Sequence, residues 1–304
     1  MNFQVLIDTC LVDLGIADGI DPSNNKSLVS LVNDFEETAW RHDNFNNFIW
    51  DNIADTALTH REREALKRQP HSTLVSAAKN LRLTDAKDDI GQGSELAEIV
   101  LYGIMKHKYK ALPVVPKIFY KQNTQDYAKG ADSVHIVLES SGDFSLWFGE
   151  SKFYNSIEDV RLADIIKSVK NSLAKDKLKK ENSIILNVSE LDHLDIDGNT
   201  RELIKDSLKP TNSIDSLKSK INVPILLLHE CNITSSATEC SEKYISEIKN
   251  FHKSRAQSYF KSHLNTLKSI HKYGDIKFHL ILFPVPKKKP IVDRFVKFVG
   301  QFRE

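Results

Sequence analysis

The stretch Phe144-Ser145-Leu146-Trp147-Phe148-Gly149-Glu150-Ser151-Lys152 decides the reading of this chain. Its aromatic and aliphatic content reads as a buried strand, and side chains along a strand alternate between faces. Phe144, Leu146, Phe148, Glu150 and Lys152 therefore share one face. An apolar strand ends by presenting a carboxylate and an ammonium two residues apart on the same side.

Just upstream, Gly130-Ala131-Asp132 precedes a second apolar run, Val134–Leu138. Ser140-Ser141-Gly142-Asp143 lies between the two runs and has turn composition, so they read as a hairpin. In a hairpin, an acid entering the first strand and an acid-x-Lys leaving the second can converge. Two carboxylates can hold a hard divalent cation, Mg²⁺ or Mn²⁺, through oxygen ligands. Such an ion polarises a scissile phosphate and lowers the pKa of a bound water. A neighbouring lysine can orient or deprotonate that water, or stabilise charge on the phosphate. The bland alternative is a solvated Glu–Lys pair at a strand end. Three further acid-x-Lys triplets occur, Asp85-Ala86-Lys87, Glu247-Ile248-Lys249 and Asp275-Ile276-Lys277, none closing an apolar strand behind an Asp-led one.

Ser94 opens a helical pattern through Met105, on which Glu95 and Glu98 are three residues apart and so neighbours on one face. Acids there also suit the helix dipole. The functional reading brings one of them, Glu98 in preference to Glu95, to the metal site, with Glu95 as accessory.

Working outward, residues 27–69 read as helical from the spacing of Leu28, Leu31, Val32, Phe35 and Ala39. Thr59 and Glu62 form a capping-box pattern, and Leu74–Leu83 reads as another helix. These make residues 1–90 a helical N-terminal subdomain and 91–304 the main domain. Within the latter, Val114–Tyr120, Ile184–Val188, Val223–His229 and Phe278–Phe283 read as strands. Ile157 to Leu178 reads as one long helix, 239–272 as a polar helix, and Leu191–Leu217, with Asp197-Gly198-Asn199, as a surface excursion. The fold class is α/β with a mixed central sheet.

The chain has 304 residues, 42 Lys+Arg against 41 Asp+Glu and a net charge of +1, so nucleic-acid affinity must come from local basic patches. Candidates for phosphate contact are Lys117 and Lys121 beside the first strand, and Lys167 and Lys170 on the helix after the acid-x-Lys strand. Lys287-Lys288-Lys289 reads as a compact basic loop. Nothing approaches the roughly 20 apolar residues of a membrane span, and the N-terminus makes a poor signal peptide. Three scattered cysteines suit a reducing cytoplasm. His229, Cys231 and Cys240 match no usual zinc spacing. His135, next to Asp132-Ser133, faces away from the acids, and Trp40, Trp50 and Trp147 read as core or interface.

The set Glu95/Glu98 on a helix, Gly130-Ala131-Asp132, and Gly149-Glu150-Ser151-Lys152-Phe153-Tyr154 resembles the PD-(D/E)xK nuclease superfamily. More narrowly, it resembles the HamA effector family of Hachiman anti-phage systems. The likeness is densest over residues 90–180. It implies a restriction-endonuclease-like core in which Glu98, Asp132, Glu150 and Lys152 are catalytic. Asp132 and Glu150, joined by Glu98, would hold the metal. Ala131 stands where the superfamily signature has proline. The resemblance further implies a DNA substrate and a superfamily 2 helicase partner, HamB-like, that holds the nuclease quiet until it engages DNA. The alternative is a catalytically silent adaptor that binds the helicase or DNA. A third reading keeps the acids as a metal site for stability alone.

Overall fold

The computed structural model describes residues 1–11, 24–83, 94–121 and 130–304, with the side chain of Lys121 outside the description. The boundary expected between residues 90 and 91 lies outside the described residues, as do Gly91, Gly93 and the Asp85–Lys87 triplet.

The core is one seven-stranded mixed sheet. Its strands in chain order are β1 (Gln4–Cys10), β2 (Lys26–Val32), β3 (Leu112–Val115), β4 (Ser133–Leu138), β5 (Phe144–Tyr154), β6 (Ile221–Glu230) and β7 (Lys277–Val285). They lie in the order β1-β2-β7-β6-β5-β4-β3. The inner four, β2, β7, β6 and β5, run parallel, and β1, β4 and β3 add on antiparallel. Parallel strands are covered on both faces and read as nearly unbroken apolar runs. Ile221–Glu230 and Lys277–Val285 have that form.

The same physics corrects the first 90 residues. Lys26–Val32 is a strand, paired in parallel with Phe278–Leu282, and not the start of a helix. Leu28, Val29, Leu31 and Val32 are all buried. Apolar residues at 28, 31 and 32 mimic helical spacing because a two-sided strand has no polar face to reveal its period of two. With β1 and β2 in the central sheet, residues 1–90 do not form a purely helical subdomain. Among the described residues, the α-helices begin at α1 (His42–Ala57), followed by α2 (His60–Ala65) and α3 (Pro70–Lys79). The capping box at α2 is present: Glu62 N donates to Thr59 Oγ1 at 3.3 Å, and Thr59 N donates to Glu62 Oε2 at 2.8 Å.

Further along lie α4 (Ser94–Tyr109), α5 (Lys117–Lys121), α6 (Asp159–Ser172) and α7 (Lys175–Asn187). Three expectations are corrected here. Val114–Tyr120 is strand only to Val115 and then turns into α5. The long helix expected over Ile157–Leu178 is two helices, because Ala174 is extended, with ψ 142°. Ile184–Asn187 is the end of α7 and Val188 its extended cap, so this segment is not a strand. The buried face of α7 is Leu178, Glu181, Asn182, Ile184 and Ile185, and its two polar members hide the helical period.

The segment 191–217 is more than a surface excursion, because it adds buried side chains to the core. It contains α8 (Gly198–Leu208), capped by Asp197 whose Oδ1 accepts Thr200 N at 2.9 Å. Leu191, Ile204, Leu208, Ile214 and Leu217 are buried in the main core. The chain ends with α9 (Glu242–Leu267) and α10 (Lys288–Arg303). Lys288 therefore begins a helix and is buried beside the Phe153 ring, so the expected basic loop is corrected.

Two apolar cores cover the sheet. One takes Phe144, Leu146, Phe148 and Tyr154 of β5 together with α6, α7 and α9. The other takes Trp147 and Phe153 with α1, α3, α4 and α10. Among the described residues, no helix is long and apolar enough to cross a membrane.

Candidate functional site

The alternation expected along Phe144–Lys152 holds in β5, so Glu150 and Lys152 lie on the face covered by α6 and α7. β4 and β5 form the expected hairpin, with Ser133 opposite Gly149 and Leu138 opposite Phe144. Its turn is closed by Glu139 N donating to Asp143 O at 2.8 Å, and Gly142 takes φ +80° there, a conformation that favours glycine.

Asp132 sits one residue before β4. Val134 and Ile136 belong to the same core as Phe148, so Asp132, two residues earlier, falls on the Glu150 face. Its backbone N–H donates to Gly149 O at 2.7 Å. Its Oδ2 accepts Ser151 N–H at 3.0 Å and stands 3.8 Å from Lys152 Nζ. Lys152 does not point into the hydrophobic interior; its side chain is 31% exposed, against 15% for Asp132. Glu150 is buried, and its Oε2 accepts the hydroxyl of Ser168 on α6 at 2.6 Å. Asp132, Glu150 and Lys152 are thus gathered at one end of the hairpin.

Glu98 is buried on α4, which packs against the opposite face of β5. Gly149 allows this close packing. A Cβ there would lie 2.7 Å from Leu101 Cδ2, one turn along α4 from Glu98, and would collide with Ser133 Oγ. Glu98 is thus carried by a helix that packs on the other face of β5 from Glu150 and Lys152. Glu95 is occupied elsewhere: its two oxygens accept Arg82 N and Leu83 N at 2.8 and 2.9 Å. Among the described residues, no group of three His, Cys, Asp or Glu stands together as a ready-made metal cage.

The basic candidates separate. Lys167 and Lys170 are exposed on α6, flanking the Ser168 that touches Glu150. Lys117 does not line a cleft; it is buried, with Nζ 2.8 and 2.7 Å from the two carboxylate oxygens of Glu181 on α7. Of the Lys121 side chain nothing is described. The histidines and cysteines singled out by the sequence take structural places. His135 packs against Tyr102 at 4.3 Å between ring centres, and burial pushes its pKa down to about 3. His229 Nε2 faces His252 Nε2 at 3.2 Å, and Cys240 Sγ lies 3.3 Å from Gln4 Oε1, so these do not converge on zinc. Burial pushes the Tyr154 phenol up.

Two residues at the site carried no sequence signal. Ser168 is one small polar residue on an amphipathic helix. Glu181 accepts the backbone N–H of Ala131 at 3.0 Å, next to Asp132, across fifty residues of chain. Only tertiary folding brings either one here.

The protein is of the mixed α/β class, with an Asp and a Glu-x-Lys placed at the end of a sheet hairpin. The sequence model of the HamA family matches residues 8–299. The chain belongs to the HamA family, and so to the components of Hachiman anti-phage defence. No curated protein shows a significant match to it.

Proposed function

We propose that this protein is a metal-dependent deoxyribonuclease of the PD-(D/E)xK type, the effector of a two-component defence system with a HamB-like superfamily 2 helicase. The observation that carries this reading is the 3.8 Å approach of Lys152 Nζ to Asp132 Oδ2 on the face that also bears Glu150. Family membership supports it, because a defence effector needs a damaging activity.

The donor chemistry suits Mg²⁺. That ion is often held by one or two carboxylates, with waters and substrate phosphate completing an octahedron. Asp132 and Glu150 are hard oxygen donors on one face, so a closed three-residue cage is not required; Glu98 would join from α4. Once bound, the ion supplies Lewis-acid polarisation of the phosphate and a more acidic water. The chain's own residues do the rest. Ser168 holds the Glu150 carboxylate in one rotamer, and the Ser151 N–H does the same for Asp132. Lys152, partly exposed beside Asp132, can donate to a non-bridging phosphate oxygen or orient the attacking water. Lys167 and Lys170, exposed on the adjoining helix, suit sequence-independent contact with the DNA backbone.

The test is cleavage of plasmid and linear DNA by the purified protein, with and without the helicase and ATP, in Mg²⁺ and in EDTA. Loss of cleavage in EDTA and in Lys152→Ala supports the reading. A second reading, the silent adaptor, is favoured by one observation: Asp132 Oδ2 is already engaged by Ser151 N–H and Lys152. It expects helicase or DNA binding that Glu150→Gln and Lys152→Ala leave intact, with no cleavage by the native chain.

A further inference from the structure

Glu181 and Lys117 form an ion pair in which both residues are almost wholly buried, 2% and 1% exposed. Removing two charges from water costs about as much as their attraction returns, and an apolar pair of similar volume often serves stability as well. An apolar pair cannot accept a backbone N–H. Glu181 does this for Ala131, at 3.0 Å. Ala131 is itself buried, so no solvent is available for that N–H. A Cβ on Gly130 would run into Glu181 Oε1, so a glycine at 130 leaves the carboxylate its place against the chain. On the next residue, Asp132 N–H donates to Gly149 O at 2.7 Å. The two successive peptides entering β4 are thus held from different directions, one by α7 and one by β5.

We infer that Glu181, held in place by Lys117, is a positioning residue for Asp132: it fixes the backbone that carries the carboxylate toward Lys152 and the metal. This rests on the nuclease reading of Asp132. It gives Lys117 a different task from the phosphate contact its sequence position suggests. Partners of this outer kind commonly govern metal affinity or activity by about 10- to 100-fold.

The experiment compares two neutral pairs in the full-length chain. Glu181→Leu/Lys117→Met removes the acceptor for Ala131; Glu181→Gln/Lys117→Met removes the same charges but keeps an acceptor oxygen. Three quantities are read: hydrogen exchange of the Ala131 amide, Mn²⁺ binding by electron paramagnetic resonance, and kcat and KM for DNA. The leucine pair is expected to speed Ala131 exchange, weaken Mn²⁺ binding about tenfold or more and lower kcat with KM little changed. The glutamine pair is expected to recover all three at a comparable melting temperature. A leucine pair that matches the native chain, or a glutamine pair no better than leucine, overturns the inference. Should the leucine pair not fold, Gly130→Ala, which crowds the carboxylate without deleting it, carries the same expectation. If native protein cuts DNA, Asp132→Asn does not, and the leucine pair still does, the positioning role fails and the nuclease reading stands. If native protein neither binds Mn²⁺ nor cuts, the nuclease reading fails, and Ala131 exchange alone then decides whether Glu181 pins this backbone.

Discussion

Lys152 Nζ stands 3.8 Å from Asp132 Oδ2, an ion-pair contact between residues that arrive from opposite strands of one hairpin. It is partly open to solvent, and it lies beside a buried glutamate on the same sheet face. A pair 3.8 Å apart and partly open to solvent gains only a modest, screened attraction. A pair placed to meet a phosphate needs this combination of fixed carboxylates and an accessible ammonium.

Lys152→Ala and Glu150→Gln should each lower DNA cleavage by about 100-fold or more, the scale set by loss of a positioned charge at a reacting phosphate. Melting temperature should change little for Lys152→Ala, because the lysine is partly exposed. Retained cleavage in both variants would falsify the assigned chemistry.

Ser168→Ala removes the hydroxyl that donates to the buried Glu150 carboxylate at 2.6 Å. A hydrogen bond to a charged group contributes about 1.5–3 kcal/mol. Urea unfolding should show a loss of that order, and cleavage should fall with it. An unchanged midpoint would remove Ser168 from the site's support.

Lys167→Glu/Lys170→Glu should weaken binding to duplex DNA of any sequence. Each phosphate that is no longer neutralised makes the slope of log K against log salt shallower by about 0.9. Fluorescence anisotropy at several salt concentrations gives that slope, and an unaltered slope would mean that these lysines face solvent only.

Stability should fall as the solution is acidified from pH 6.5 toward 4. Burial holds His135 at about 3, and His229 and His279 at about 4, against an ordinary 6.5. Unfolded chains take up protons at these histidines while the folded chain does not, so stability is present above the unfolded value and is lost as pH drops below it. Each such histidine adds a slope of up to about 1.4 kcal/mol per pH unit in that window. His135→Phe, which fills an apolar surrounding without a titrating group, should flatten the profile measured by chemical denaturation between pH 4 and 7.

Leu28→Ala should destabilise the protein by about 2–5 kcal/mol, as for a large core side chain. Leu28 is fully buried on a strand paired with β7. Its amide, with those of 29–31, should exchange as slowly as the amides of β6. Fast exchange across 27–31 would contradict the inner position of β2.

Local pattern was enough where one face or one cap announced itself. The β4–β5 hairpin, the capping box at Thr59 and Glu62, and the alternation that sets Glu150 and Lys152 on one side all follow from neighbouring residues. Pattern failed where a doubly buried strand placed apolar residues at helical spacing, or where polar residues were buried. Lys26–Val32 imitates a helix because both its faces are covered and Leu28, Leu31 and Val32 fall at helical spacing, and the end of α7 imitates a strand because Glu181 and Asn182 sit on its inner face.

The residue order by itself determined the α/β class, the hairpin and the acid-x-Lys at its end, since these depend on periodicity and turn chemistry over a few residues. Tertiary structure alone decided that Lys117 is buried against Glu181, that Ser168 reaches Glu150, and that an N-terminal strand completes the parallel core. Those relations join residues far apart in the chain, and their energies come from desolvation and hydrogen bonding that exist only after the layers have packed.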